Sequence, residues 1–196
     1  MSALSLVIIT ASIITLLAWL RSILTGDMSQ VDRLWSIVPE IYIWILVFKD
    51  HFHNQLLFIC AVLVSAWGIR LTFNFARKGG YRGEEDYRWE VLRKQMSKVQ
   101  FQIFNFFFIS LYQNFLLVMI TIPAFYIYQH QAKLNGATLI MVFAFIGALI
   151  GETIADQQQW NFYQARKNGN TFAIYQNQIV SSIGYFEGGS KIVYLN

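Results

Sequence analysis

"MSALSLVIITASIITLLAWL", residues 1–20, carries no charged side chain. A helix rises 1.5 Å per residue, so a run of about 20 residues crosses the roughly 30 Å of hydrocarbon in a bilayer. The stretch reads as a first membrane span, and it decides the fold class. A cleaved signal peptide fits it poorly: no basic segment leads the run, the apolar run is too long, and no A-x-A site closes it. The remainder agrees. Of 196 residues, 56% are hydrophobic, 17% aromatic and only 13% charged, which places the chain outside the soluble average. The apolar residues come in long uncharged blocks rather than as one face of amphipathic helices, as spanning segments require. The single cysteine, Cys60, lies in such a block, which excludes an internal disulfide and a thiolate metal cluster. The net charge of +4 is spread without a basic stripe, so nucleic acid is not an expected partner; the bilayer is.

Four more spans follow. The second, Val31 to Phe48, holds Asp32, Arg33 and Glu40 in its first half, and these need partners or water. A third runs from about Asn54 to Phe75 and contains Arg70. The block from Val99 to Ala132 lacks Lys, Arg, Asp and Glu; its expected span is Phe104 to Tyr126, behind an interfacial stretch and kinked near Pro123. The fifth runs from about Ala137 to Asp156, its helix continuing through "QQQWNFYQ". Loop charge gives an independent check. With five spans, Arg21, Arg33, Arg77, Lys78, Arg82, Arg88, Arg93, Lys94, Lys98, Arg166 and Lys167 fall on one side, against Lys49 and Lys133 on the other. The expectation is an all-α polytopic membrane protein with about five transmembrane helices, its N-terminus outside. Residues 1–167 form the membrane-embedded domain, and 168–196 an irregular polar tail rich in Asn, Gln, Ser and Gly.

Four polar groups stand out in this apolar background. In "SQVDRLWSIVP" (29–39), Asp32 is either a helix cap beside the headgroup anchor Trp35 or a polar contact for a substrate entering from the bilayer. In residues 67–94, "EEDYRWEVLRK" reads as a surface helix with Glu84/Arg88 and Glu90/Lys94 pairs, whereas Arg70, inside a span, is seldom kept without a use. Asn105, Gln113 and Asn114 sit in the fourth span, where amides commonly hydrogen-bond across helices. Glu152, Asp156, Gln159 and Tyr163 follow i, i+4, i+7, i+11 spacing and share a helix face below the Gly147/Gly151 pair. They either mark a helix end emerging into water or line a cavity, where Arg166 and Lys167 would meet a cofactor's phosphates.

Together, "SQVDRLWSIVP", "WGIRLTFNFARKGGYRGEEDYRWEVLRK", "LYQNFLLVMITIPAF" and "GETIADQQQWNFYQARK" resemble the DUF1295 proteins of the steroid 5-alpha-reductase superfamily, over nearly all of residues 25–167. The resemblance implies about seven helices in an endomembrane such as the endoplasmic reticulum. NADPH, held at the cytosolic side, would give a hydride to an activated carbon-carbon double bond of a lipid. It also implies roles. Glu152, Asp156 and Gln159 match the cofactor-facing helix, with Arg166 or Lys167 for phosphates; Asp86, Tyr87 and Arg88 match the "EDYR" block, and Arg70 the arginine at the cytosolic end of the third span. Asp32 stands where steroid reductases place a catalytic glutamate that contacts the substrate carbonyl, while their tyrosine is replaced by Trp67, which argues against a 3-keto steroid.

The departure lies downstream. The family's block around His-Pro-Asn-Tyr has no counterpart, since the prolines are Pro39 and Pro123 and the histidines His51, His53 and His130. The resemblance therefore stops near Lys167, as in a truncated gene product, and poor or no NADPH binding is expected. Two other functions stay open: a non-catalytic paralogue packing against itself or a full-length relative, and an S-adenosylmethionine-dependent methyltransferase of lipid or prenylcysteine.

Overall fold

The computed structural model describes residues 1–81 and 87–167, leaving out the side chain of Tyr87. The described residues are helical, with no strand among them, and divide into two units, Met1–Ile146 and the part from Gly147 onward. The helices are α1 (Ala3–Thr25), α2 (Val38–Lys49), α3 (Gln55–Arg77), α4 (Tyr87–Gln95), α5 (Lys98–Phe104), α6 (Gln113–Ile120), α7 (Ile122–His130) and α8 (Gly136–Lys167), with a π-helical segment, Asn105–Tyr112, joining α5 to α6. The chain is a polytopic membrane protein: among the described residues four helices, Ala3–Thr25, Gln55–Arg77, Lys98–Ile120 and Gly136–Lys167, are long and apolar enough to cross a bilayer.

The packing of α1 shows why lipid is its solvent. Ser2 caps its start, accepting from the Ser5 amide at 3.1 Å, and Gly26 ends it in the left-handed region at φ 69°. Its buried residues are mostly small: Ala3, Val7, Thr15, Ala18 and Ser22. Its large ones, including Ile8, Ile13, Leu17 and Leu24, face outward. A water-soluble helix does the reverse. Association in a bilayer gains nothing from burying leucine, so small residues that permit close packing take the inner face.

The second expected span is shorter than the sequence suggests. Residues 29–37 are turns, and the helix begins only at Val38, with Pro39 in its first turn. The cause is local. Asp27 accepts from the Ser29 amide at 2.9 Å and from Gln30 Nε2 at 3.3 Å, bonds that compete with helical ones, and proline suits a helix start. The 12 residues of α2 rise only about 18 Å, yet α2 supplies much of the core. Val38, Tyr42, Leu46 and Val47 pack with Leu57 and Ala61 of α3, Leu117 of α6 and Ala124 of α7.

The fourth expected span is shifted. It begins at Lys98 rather than Phe104, because Ser97 and Gln100 form a capping box that starts the helix early. The break does fall near Pro123: α6 stops at Ile120, and α7 restarts with the proline in its first turn. At this end of the bundle a neutral lock closes the loops. Asp50 accepts from the Asn54 amide at 2.6 Å and from Gln131 Nε2 at 2.9 Å, and Asn54 Nδ2 donates to the Ala132 carbonyl at 3.0 Å. The last helix, α8, has 32 residues and runs through the glutamines as expected.

Candidate functional site

At the end of the bundle opposite the Asp50 lock, the turn segment between α1 and α2 gathers charged and polar groups from several elements. Asp27 and Arg33 form an ion pair at 2.6 Å, with side chains only 15% and 13% exposed. Their spacing of six residues belongs to no helix face; the turns bring them together. Arg33 Nε also donates to the Gly80 carbonyl at 3.3 Å, and Tyr81 Oη to the Arg33 carbonyl at 3.3 Å, which ties the segment to the end of α3. Gly80 is needed there, since a Cβ would overlap the Phe75 ring. From α4, Trp89 Nε1 donates to Asp32 Oδ2 at 3.4 Å, and Arg93 donates to the Gly26 carbonyl at 2.9 Å. Beneath lies an apolar floor of Met28, Trp89, Phe101 and Ile109.

From this end a polar seam descends between the helices. Ser36 and Thr72 hydroxyls meet at 2.7 Å, Trp35 Nε1 donates to Gln113 Oε1 at 3.1 Å, and Asn105 Nδ2 to Ser22 Oγ at 2.9 Å. Below Ser36, the carboxylate of Glu40 rests on Gly68 of α3: an added Cβ would overlap Glu40 Oε1 and crowd the Ser36 carbonyl. Only glycine lets α2 bring a carboxylate this close to the α3 backbone. On α3 itself, Arg70, Asn74 and Arg77 follow i, i+4, i+7 spacing and share a face; Asn74 is buried and both arginines are half-buried.

Several expectations change. Asp32 does not cap α2, because the residue at its start is Ile37 and has no side-chain cap bond; Asp32 meets the Trp89 indole N–H instead. Trp35 is bonded to an amide within the bundle rather than anchored among headgroups. The role of helix-to-helix connector fits Asn105, while Gln113 instead ties α6 to the turn segment through Trp35, and Asn114 Nδ2 turns back to the Ser110 carbonyl of its own turn. Arg88 is exposed, its guanidinium 5.7 Å from the centre of the Trp89 ring. The Glu90–Lys94 pair forms at 2.8 Å. Asp86, Glu84 and the Tyr87 side chain lie outside the described residues, as does the tail. In the second unit, Glu152, Asp156 and Gln159 share one face of α8, and Arg166 and Lys167 occupy its last turn.

Sequence reasoning passed over Asp27, Thr72 and Gly68, and treated Arg33 and Glu40 only as ionisable residues in need of a partner or water, Arg33 also as a topogenic charge. One usable signal was present: glycine opposite carboxylate in a span. Its two halves stand 28 residues apart, and only the fold joins them.

Comparison with known proteins adds the family. A curated relative, an uncharacterized protein of Schizosaccharomyces pombe, is 36% identical over 158 residues, which covers 78% of this chain and 46% of that protein. The chain thus spans about half the length of the relative it matches. No solved structure matches. The sequence profile of the family described as "Protein of unknown function (DUF1295)" matches residues 18–176, starting before and ending beyond the 25–167 expected from motifs. That match covers the α1 end, the turn segment and the seam, and the chain is a member of the DUF1295 family.

Proposed function

We propose that the charged end of the bundle is the site of a membrane oxidoreductase that reduces a lipid or sterol-like carbon-carbon double bond with NADPH. The observation that carries this reading is the seam itself: acids, hydroxyls and amides descend from a poorly exposed ion pair into helices that are otherwise apolar. Ionisable groups within a membrane domain are costly and mark functional sites by default. The donor set suits a dinucleotide. Arg70, Asn74 and Arg77 on one face of α3 offer guanidinium and amide N–H groups of the kind that bind phosphates. When bound, NADPH supplies the hydride.

The chain's own residues supply orientation and the proton. The family resemblance gives cofactor-facing roles to Arg70, Asp86, Tyr87 and Arg88 and, separately, to Glu152, Asp156, Gln159, Arg166 and Lys167 of α8. Asp32, oriented by the Trp89 indole, contacts the polar end of the substrate, and Glu40, deeper against Gly68, is a second acid for protonation. This reading places the charged end in the cytosol, the N-terminus outside, α2 as a fifth, short crossing, and the protein in the endoplasmic reticulum or another endomembrane.

The family's His-Pro-Asn-Tyr block is not on this chain, so we expect weak cofactor affinity. The test incubates purified protein in lipid nanodiscs with an unsaturated lipid extract and NADPH near 1 mM, at the upper end of usual KM values. Mass spectrometry should find a lipid heavier by two hydrogens, formed in step with NADPH oxidation and lost in Asp32→Asn. The absence of a reduced lipid, with methyl transfer from labelled S-adenosylmethionine instead, would replace this reading by the methyltransferase one.

A further inference from the structure

Outside the seam, a groove runs along the edge of the bundle where α1, α4 and α5 meet. Its upper part, a cavity of about 280 Å³, is lined by Gly26, Met28, Arg93, Met96, Lys98 and Phe101. Its lower part, about 460 Å³, is lined by Trp19, Val99, Ile103, Phe106 and Phe107, and Lys98 and Gln102 border both. Together these volumes fall in the range of small-molecule sites, about 300–1,000 Å³. The groove is graded in polarity. Lys98 opens the Lys98–Ile120 span, so it stands at the membrane interface, while Ile103 and Phe107 lie about 7 and 13 Å deeper along the helix.

The upper part is cationic. Residues 87–98 hold Arg88, Arg93, Lys94 and Lys98 against Glu90, a net +3. Arg93 is fixed in place, donating to Gly26 and lying 5.3 Å from the centre of the Phe101 ring. Lys94 is paired with Glu90, whereas Lys98 is exposed and in no ion pair among the described residues. The lower part is apolar and open, with Val99 71% and Phe107 59% exposed. Trp19, which packs edge-on against Phe106 at 5.1 Å, buries an indole N–H that has no acceptor among the described residues.

We propose that this groove binds an anionic glycerophospholipid. Its phosphate lies against Arg93 and Lys98, and one acyl chain runs down past Val99, Ile103 and Phe107. The graded polarity matches such a lipid along its length, and the two cations that line the upper part, Arg93 and Lys98, select an anionic head. Arg93, Gly26, Met28 and Phe101 also border the charged end, whereas Trp19, Lys98, Val99, Ile103 and Phe107 take no part in the reductase reading, and lipid retention is measured without cofactor, so the two proposals can fail separately.

The test is native mass spectrometry of the full chain, purified in detergent with equal amounts of phosphatidylglycerol and phosphatidylcholine of the same acyl chains, and no cofactor. Wild-type protein should retain phosphatidylglycerol in preference. A cation near an anionic lipid contributes about a fivefold preference, so Lys98→Gln should reduce the ratio about fivefold. Val99→Trp, which fills the lower groove, should reduce the retention of both lipids at unchanged net charge. Arg21→Gln removes a cation from the same end of α1, about 200° around the helix from Trp19, and should leave the ratio unchanged. No preference for phosphatidylglycerol, or an equal loss in Arg21→Gln and Lys98→Gln, would overturn the proposal.

Discussion

Each end of the bundle is held by a poorly exposed aspartate, and the two are built differently. Asp50 is bound by a backbone amide and the Gln131 amide, next to an Asn54 that reaches the Ala132 carbonyl. It holds two loops together with short, neutral donors. Asp27 instead pairs with an arginine, in a segment that also reaches the ends of α1, α3 and α4 and leads into a seam of acids and hydroxyls. A loop closure needs only satisfied hydrogen bonds, which neutral partners supply at a lower desolvation cost than ions. An arginine partner kept at one end, where neutral donors suffice for the carboxylate at the other, therefore points to use rather than to stability.

Substitutions can break this contrast in order of expected effect. Asp50→Ala removes two hydrogen bonds to a buried carboxylate and should cost about 3–5 kcal/mol, with no specific loss of ligand binding. Unfolding by SDS titration in mixed micelles measures the first, and binding at temperatures where the variant stays folded measures the second. Asp27→Ala leaves Arg33 poorly hydrated without its acid and should cost about 2–3 kcal/mol, less than a fully buried pair because both side chains keep some exposure. Gly68→Ala places a methyl against Glu40 and the Ser36 carbonyl, forces α2 from α3, and should cost about 2 kcal/mol. Asn105→Ala removes one interhelical bond to Ser22, and about 1 kcal/mol is expected, as for similar bonds in membranes. If Asp27→Ala abolished function while Asp50→Ala lowered only stability, the contrast would be sharpened; the reverse would break it.

Legibility in the sequence follows the range of the interactions. Uncharged runs and local caps fixed the existence of α1, α3 and α8, since Ser2 and Asn54 bond amides three residues away. The start of α2 was not readable from hydropathy, because Asp27 draws residues 29–33 into turns through bonds that compete with the helix. The residue types of the site were partly visible: Asp32 and Arg70 are conspicuous where they stand. Their surroundings were not. Trp35 meets Gln113 across 78 residues, Asp32 meets Trp89 across 57, and Arg33 meets Gly80 across 47. Nothing in spacing encodes such pairs before the helices pack.

The central claim, that the charged end is a dinucleotide site and the Asp50 end is not, is tested most directly by titrating the purified chain with NADPH and following the enhancement of nicotinamide fluorescence. The account predicts weak but saturable binding, lowered about tenfold by Arg70→Gln, in keeping with a charged hydrogen bond to phosphate, and unchanged by Asn54→Ala at the opposite end. Equal responses to the two substitutions, or no saturable binding, would contradict it.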